Sequence, residues 1–302
     1  MRNLKRALSL ALAAIMLVGM MVVSASAASY NNLTDKDEIV NKDAVSMLVS
    51  LGIIEGKPDG SYAPTENVDR AQMAKMLSVI MNKGVDNSAL YQSVNSGLVD
   101  VNTNWAKGHI NYCYTTGIIA GRGNGKFDPS ATVTALEAAK MLLVAVGYDP
   151  AIEGFEGADW AINVSVRADE QGIFEGFTKD LSAPLNRDDA ALLIYNALDV
   201  EMIQSYTTNN YPIVYSDHRT ILSDKYGVIK VEGVVTANEW AILDDDTDTA
   251  LQEGKTRIYN PDGILSTTGN TAVAQDSSAN VKTQVFNVST PVDMLGKAVT
   301  MY

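Results

Sequence analysis

The chain has 302 residues, 36 of them acidic against 23 basic, for a formal net charge of −13. So acidic a surface argues against nucleic acid, whose binding rests on many Lys and Arg contacts to phosphate, and against holding an anionic polymer by bulk attraction. The length suits two domains rather than one, and a single cysteine, Cys113, excludes an intrachain disulfide.

At the start, Arg2, Lys5 and Arg6 precede an apolar run from Ala7 to Val23, and Ala25-Ser26-Ala27 offers the small residues a signal peptidase needs. The pattern predicts a signal peptide over 1–27, cleaved after Ala27, with no stable membrane span left. An uncleaved anchor is the alternative, because the apolar run is long for a signal. Removing the segment takes away three basic residues and no acidic ones, so the remainder is more acidic still.

From there the chain repeats itself. Gly52-Ile53-Ile54-Glu55-Gly56 leads to Pro64, Gly117-Ile118-Ile119-Ala120-Gly121 to Pro129, and Gly172-Ile173-Phe174-Glu175-Gly176 to Pro184. The first glycine and the proline stand 12 positions apart in all three copies. Twelve residues before that glycine come Val40, Trp105 and Trp160, each opening a helix-compatible run. Leu48 and Val45, Cys113 and Ile110, and Ala168 and Ser165 share one face of that run, and the glycine stands where a helix ends in the left-handed conformation. On this face Cys113 reads as a buried small apolar residue rather than a reactive thiol. After the proline, Asp69-Arg70-Ala71-Gln72, Thr134-Ala135-Leu136-Glu137 and Asn186-Arg187-Asp188-Asp189 each predict a capped second helix, least well in the third, where Asp is short for the return bond. Stripes at Ala74, Leu77 and Met81, at Ala139, Leu142 and Val146, and at Ala191, Ile194 and Leu198 give these helices a core face. Units of roughly 50 residues are too small to bury a core alone, so the three should pack as one domain.

These residues resemble the S-layer homology (SLH) repeats of bacterial cell-surface proteins, whose pattern runs from an aspartate and a tryptophan through Gly-Ile-Ile-x-Gly and Asp-Gly-x-Phe-x-Pro to Thr-Arg-Ala-Glu. The second copy matches through Asp100, Trp105, Gly117, Gly121, Phe127 and Pro129 but has Ala135 where the arginine belongs. The first keeps Asp35 and Arg70 without the tryptophan. The third keeps Trp160 and Arg187 but has Phe155 at the aspartate position and is three residues shorter before its cap. The resemblance covers roughly 30–200, with repeats at 28–84, 98–148 and 155–202. It implies three units around a pseudo-threefold axis with grooves between neighbours. It also implies a ligand, a secondary cell-wall polysaccharide whose terminal sugar carries a pyruvate ketal and hence a carboxylate.

Arg70 and Arg187 are the expected ligand-binding residues: each follows an N-cap, where free amides and the helix dipole already favour an anion. A guanidinium there can hold a carboxylate through two parallel bonds worth roughly 1.5 to 3 kcal/mol each. The alternative is an ion pair with an acid of a neighbouring repeat. Trp105 and Trp160 could stack on a sugar or anchor the first helix in the core. Asp35 and Asp100 could cap that helix or accept sugar hydroxyls. Lacking its arginine, the second copy is expected to have the weakest groove, with Arg122 and Lys126 of its loop as possible substitutes.

Past Met202 the composition shifts to short alternating runs, Val228 to Val235, Thr256 to Tyr259, Val281 to Val288 and Ala298 to Tyr302. Turn signals such as Asn260-Pro261-Asp262-Gly263 separate them. This predicts a small β domain over 203–302, which could be the front part of something longer. Asp244-Asp245-Asp246-Thr247-Asp248 offers calcium-type oxygens, yet the sixth position of an EF-hand frame is Thr249 and the twelfth Lys255, so a solvated turn is the expectation. His109 and His218 stand without a metal-ligand cluster, and no cofactor, zinc, nucleophile-elbow or phosphate-loop motif is present. The expected fold is therefore α+β multidomain: an all-α bundle of three helix-loop-helix repeats, then a small all-β domain. The expected function is non-catalytic anchoring of an exported protein to the bacterial cell wall, with self-association in a surface layer as an option. The rival is a surface polysaccharide-degrading enzyme anchored by the repeats.

Overall fold

The computed structural model describes residues 29–228, 230–243, 250–261 and 282–302. The expected signal segment 1–27 and the acidic run Asp244–Asp248 lie outside the described residues.

Three segments each contribute two helices: α1 (Lys42–Ser50) and α2 (Arg70–Met81), α3 (Lys107–Thr115) and α4 (Ala135–Val146), α5 (Trp160–Glu170) and α6 (Arg187–Leu198). The first helix of each stops for the same reason. Gly52, Gly117 and Gly172 adopt φ of 70°, 79° and 70°, a region costly for a residue with a Cβ. The amides that follow turn back onto the last helical turn, Ile53 to Leu48, Ile118 to Cys113 and Ile173 to Ala168, at 2.9 Å in every case. The second helices start as their sequences predict. Asp69 with Gln72 and Thr134 with Glu137 form complete capping boxes, whereas Asn186 caps one way only and the Asp189 carboxylate turns to Lys179.

Packing differs from the expected hairpins. The helices that pack most closely come from different segments: α2 against α3, α4 against α5, and α6 back against α1. The contact between α6 and α1 closes a ring. At its centre three residues just ahead of the second helices bond in a cycle, Val68 N–H to Leu185 O (2.8 Å), Leu185 N–H to Val133 O (2.8 Å) and Val133 N–H to Val68 O (2.9 Å). All three side chains are buried, so each backbone group finds in a neighbouring segment the partner that burial requires. The stripe residues Ala74, Leu77, Ala139, Leu142, Val146, Ala191, Ile194 and Leu198 fill one continuous core with Leu48, Ile110 and Cys113. Of the first-helix faces the third is shifted: Val164 and Ala168 are buried there, and Ser165 is only partly so.

That core does not end at residue 202. Strands β1 (Ile203–Tyr206) and β2 (Pro212–Val214) form a hairpin, and helix α7 (Ile221–Tyr226) follows. Ile203, Ile221 and Leu222 belong to the helical core, and the Tyr226 hydroxyl donates to Ile80 O at 3.3 Å. The helical core thus extends past the expected limit at residue 202 to about Val228, because polar residues around this hairpin masked a few deeply buried apolar ones. Beyond it, β3 (Val231–Asn238), β4 (Thr256–Tyr259), β5 (Thr283–Phe286) and β6 (Ala298–Met301) build an antiparallel sheet in the order β5-β4-β3-β6. Val231, Val235, Ala237 and Ile258 are its buried residues. Among the described residues no helix is long and apolar enough to cross a membrane.

Candidate functional site

Among the cavities on the described residues of the helical body, two are built alike. Cavity 1, about 520 Å³, has the loop Ile53–Pro58 as its floor, Gln72, Lys75 and Met76 of α2 on one wall, and Trp105 and Arg187 at its edges. Cavity 2, about 510 Å³, repeats this with the loop Ile118–Arg122, then Glu137, Lys140 and Met141 of α4, then Trp160 and Arg70. Each of these two cavities thus draws its loop and wall from one segment, its tryptophan from the next and its arginine from the remaining one.

This wiring changes which arginine belongs to the second copy's loop. Its loop is served by Arg70 of the first segment. The missing arginine, Ala135, instead affects the third loop, since Leu136 N–H bonds to Leu181 O there. At that third position Leu192 stands where Lys75 and Lys140 stand, six residues after the cap, and Val40 stands where the tryptophans stand. Lys126 does not line cavity 2. Arg122 does, with Nη1 2.6 Å from Glu137 Oε1.

The arginines hold the loops in place. Arg70 is 4% exposed; its Nε donates to Phe127 O at 2.7 Å, its Nη2 to Ala120 O at 2.8 Å, and its guanidinium lies 4.3 Å from the Phe127 ring centroid. Arg187 repeats the pattern on Tyr62 O (2.7 Å) and Glu55 O (3.2 Å), 4.7 Å from the Tyr62 ring. Neither forms an ion pair among the described residues. Burial, aided by Arg122, pushes Arg70 down to about 10, so it remains a cation at neutral pH. With Nε and Nη2 engaged, Nη1 of each guanidinium makes no hydrogen bond among the described residues, and each arginine lines its cavity.

The first-turn amides are not free, contrary to expectation. Arg70 and Ala71 donate to Ala131 O and Pro129 O, Arg187 and Asp188 to Glu66 O and Pro64 O, and Gln72 and Asp189 to their own caps. Ring closure has consumed the donors that an isolated helix end would offer an anion.

The aspartates bond loop amides rather than capping the first helix. Asp35 accepts from the Tyr62 and Ala63 amides at 2.7 Å, and Asp100 from those of Phe127 and Asp128. They brace the loop just beneath the arginine, and neither lines a cavity. For Asp100 burial acts to raise the carboxyl, but the amide bonds outweigh it and the net shift is downward. Phe155, at the equivalent third position, is fully buried and offers its carbonyl to Lys140 Nζ at 2.5 Å.

Trp105 is 58% exposed at the rim of cavity 1, which removes it from the core. Trp160 is half-buried, with Lys140 Nζ 5.7 Å from its ring. The structure therefore brings Arg187 together with Trp105 and Arg70 with Trp160. Sequence reasoning missed Lys75, Lys140 and Gln72. The recurrence of lysine six residues after two caps was the available signal. Cys113 is buried against Ala74 O, and burial pushes its thiol up, away from reactivity. Among the described residues no cluster of His, Cys, Asp and Glu could hold a metal ion.

Comparison with known proteins gives these cavities a context. Residues 32–74 and 99–139 match the S-layer homology domain. The chain is 28% identical over 270 residues to a cell surface protein of Thermoanaerobacter kivui, covering 88% of this chain and 32% of that protein. It is 32% identical over 113 residues to an S-layer protein of Bacillus licheniformis (37% of this chain, 12% of that one). It is also 31% identical over 172 residues to an amylopullulanase of Thermoanaerobacterium thermosulfurigenes (52% and 9%). The chain spans about a third of the first of these relatives and far less of the others.

Proposed function

We propose that this chain anchors an exported protein to the bacterial cell wall by holding an anionic wall glycan in cavities 1 and 2. The observation that carries the reading is the shared construction of the two cavities: a tryptophan at the rim, a lysine on the wall and an arginine with an unspent Nη1, in a chain whose overall charge would repel an anion. The match of residues 32–74 and 99–139 to the S-layer homology domain supports it. In the same reading residues 155–202 are a third, diverged copy of that unit, supported by the bond cycle through Val68, Val133 and Leu185. The fitting ligand end is a sugar bearing a pyruvate ketal: its ring has a face for Trp105 or Trp160, and its carboxylate suits Arg187 with Lys75, or Arg70 with Lys140. Two modest sites on one fixed polymer would retain the protein by avidity.

The likeness to an amylopullulanase favours a second reading, in which the same anchor belongs to a surface enzyme. Anchoring is common to both readings. The test is co-sedimentation of the full chain with native walls and with walls stripped of accessory polymer. Retention on native walls alone is expected, and equal retention on both refutes the proposal. Hydrolysis of starch or wall glycan by the chain would favour the enzyme.

A further inference from the structure

The two cavities are alike in plan but not in charge. In cavity 1 the Glu55 carboxylate sits on Lys75 Nζ at 2.6 Å, and its side chain is 62% exposed. Lys75 is its one side-chain partner among the described residues, while its backbone is pinned by Arg187 at the carbonyl. Glu55 is therefore a carboxylate on a swivel, parked on a cavity cation. In cavity 2 Ala120 stands where Glu55 does, and the acid there, Glu137 at the position of Gln72, is fixed. Glu137 accepts from Arg122 Nη1 through one oxygen and from the Thr134 amide through the other, and its side chain is 15% exposed. Glu156 adds a second acid to the same lining.

An exposed ion pair is weak and easily exchanged, whereas a charge held at both oxygens in a half-buried site stays and repels an incoming anion. We infer that Glu55 is a built-in competitor for the ligand's carboxylate: it occupies Lys75 in the empty cavity and swings out on binding, so cavity 1 is the principal anion seat. Glu137 stays and keeps cavity 2 the weaker one. The inference rests on the anchoring reading and adds to it which cavity dominates and what gates it.

The test is calorimetric titration of the full chain with a methyl glycoside carrying a 4,6-pyruvate ketal. Wild type should show one dominant site. Glu55→Gln should tighten it about three- to fivefold, the scale of an exposed ion pair, and Lys75→Ala should weaken it at least tenfold. Glu137→Gln, whose amide oxygen preserves the capping bond, should raise a second site. Glu253→Gln, the same charge change in the loop between β3 and β4, should leave affinity within twofold, and melting curves confirm that each variant is folded. Equal affinity in wild type and Glu55→Gln, with binding otherwise intact, overturns this inference alone. Wild-type protein that neither binds the ketal nor sediments with walls overturns the anchoring reading and this one with it.

Discussion

Replacing Arg70 by alanine tests whether the arginines are struts as well as ligand groups. The side chain joins the first segment to the second loop through two charge-assisted bonds, to Phe127 O at 2.7 Å and Ala120 O at 2.8 Å, and it stacks on the Phe127 ring. Each bond contributes roughly 1.5 to 3 kcal/mol, and the stacking roughly 0.5 to 2. Against that stands the cost of burying a guanidinium that has no carboxylate partner, so the expected net loss is about 3 kcal/mol. For a body of this size about 3 kcal/mol corresponds to a fall in Tm of roughly 6 to 12 °C. Arg187→Ala should cost less, about 1 to 2 kcal/mol, because one of its bonds is long at 3.2 Å and the side chain is only partly buried. Arg70→Lys should recover less than half, since one ammonium cannot span both carbonyls as the planar fork does. The assay is thermal unfolding of the full chain followed by circular dichroism at 222 nm. An Arg70→Ala melt within 1 °C of wild type, or an Arg187→Ala penalty larger than that of Arg70→Ala, would refute the reasoning.

Two further outcomes follow from the same packing. Gly108→Ala normally favours a helix, yet a Cβ at this position in α3 would stand 2.1 Å from Ser88 O; a loss of about 1 to 3 kcal/mol is expected, and a higher urea midpoint than wild type would contradict it. His109 is buried with Nδ1 3.0 Å from Ser78 Oγ, and burial lowers its pKa below the ordinary 6.5 despite the upward pull of Asp86. Between those two values the unfolded chain binds a proton that the folded one refuses, so stability should fall as pH drops below 6.5. A Tm slope between pH 7.5 and 5.5 that is the same in His109→Gln as in wild type would rule this out.

Local order was legible because it depends on neighbours in sequence. The glycines at 52, 117 and 172 and the caps at Asp69, Thr134 and Asn186 each satisfy backbone groups within a few residues, and the alternation at 256–259 and 298–301 follows from the two-residue period of a strand. Even the weak third cap was visible, in the shortness of Asp189. The misreadings share one cause, partners that lie far away in sequence. Asp35 and Asp100 read as helix caps or sugar ligands because their partners, the amides at 62–63 and 127–128, lie 27 or 28 residues away. Glu55 and Lys75 gave no sign of meeting, and the apolar residues of 203–228 were too sparse to announce that they complete the helical core.

From residue order alone came the glycines that end the first helices and the caps that start the second ones, since these depend on backbone conformation and spacing. Which arginine faces which loop was decided in three dimensions. The first helix of one segment packs on the second helix of another, and closing that ring hands cavities 1 and 2 side chains from all three. The same closure spends the helix-end amides on neighbouring carbonyls, because a buried amide must be paired. What remains for a ligand is the side-chain charge that the ring leaves over.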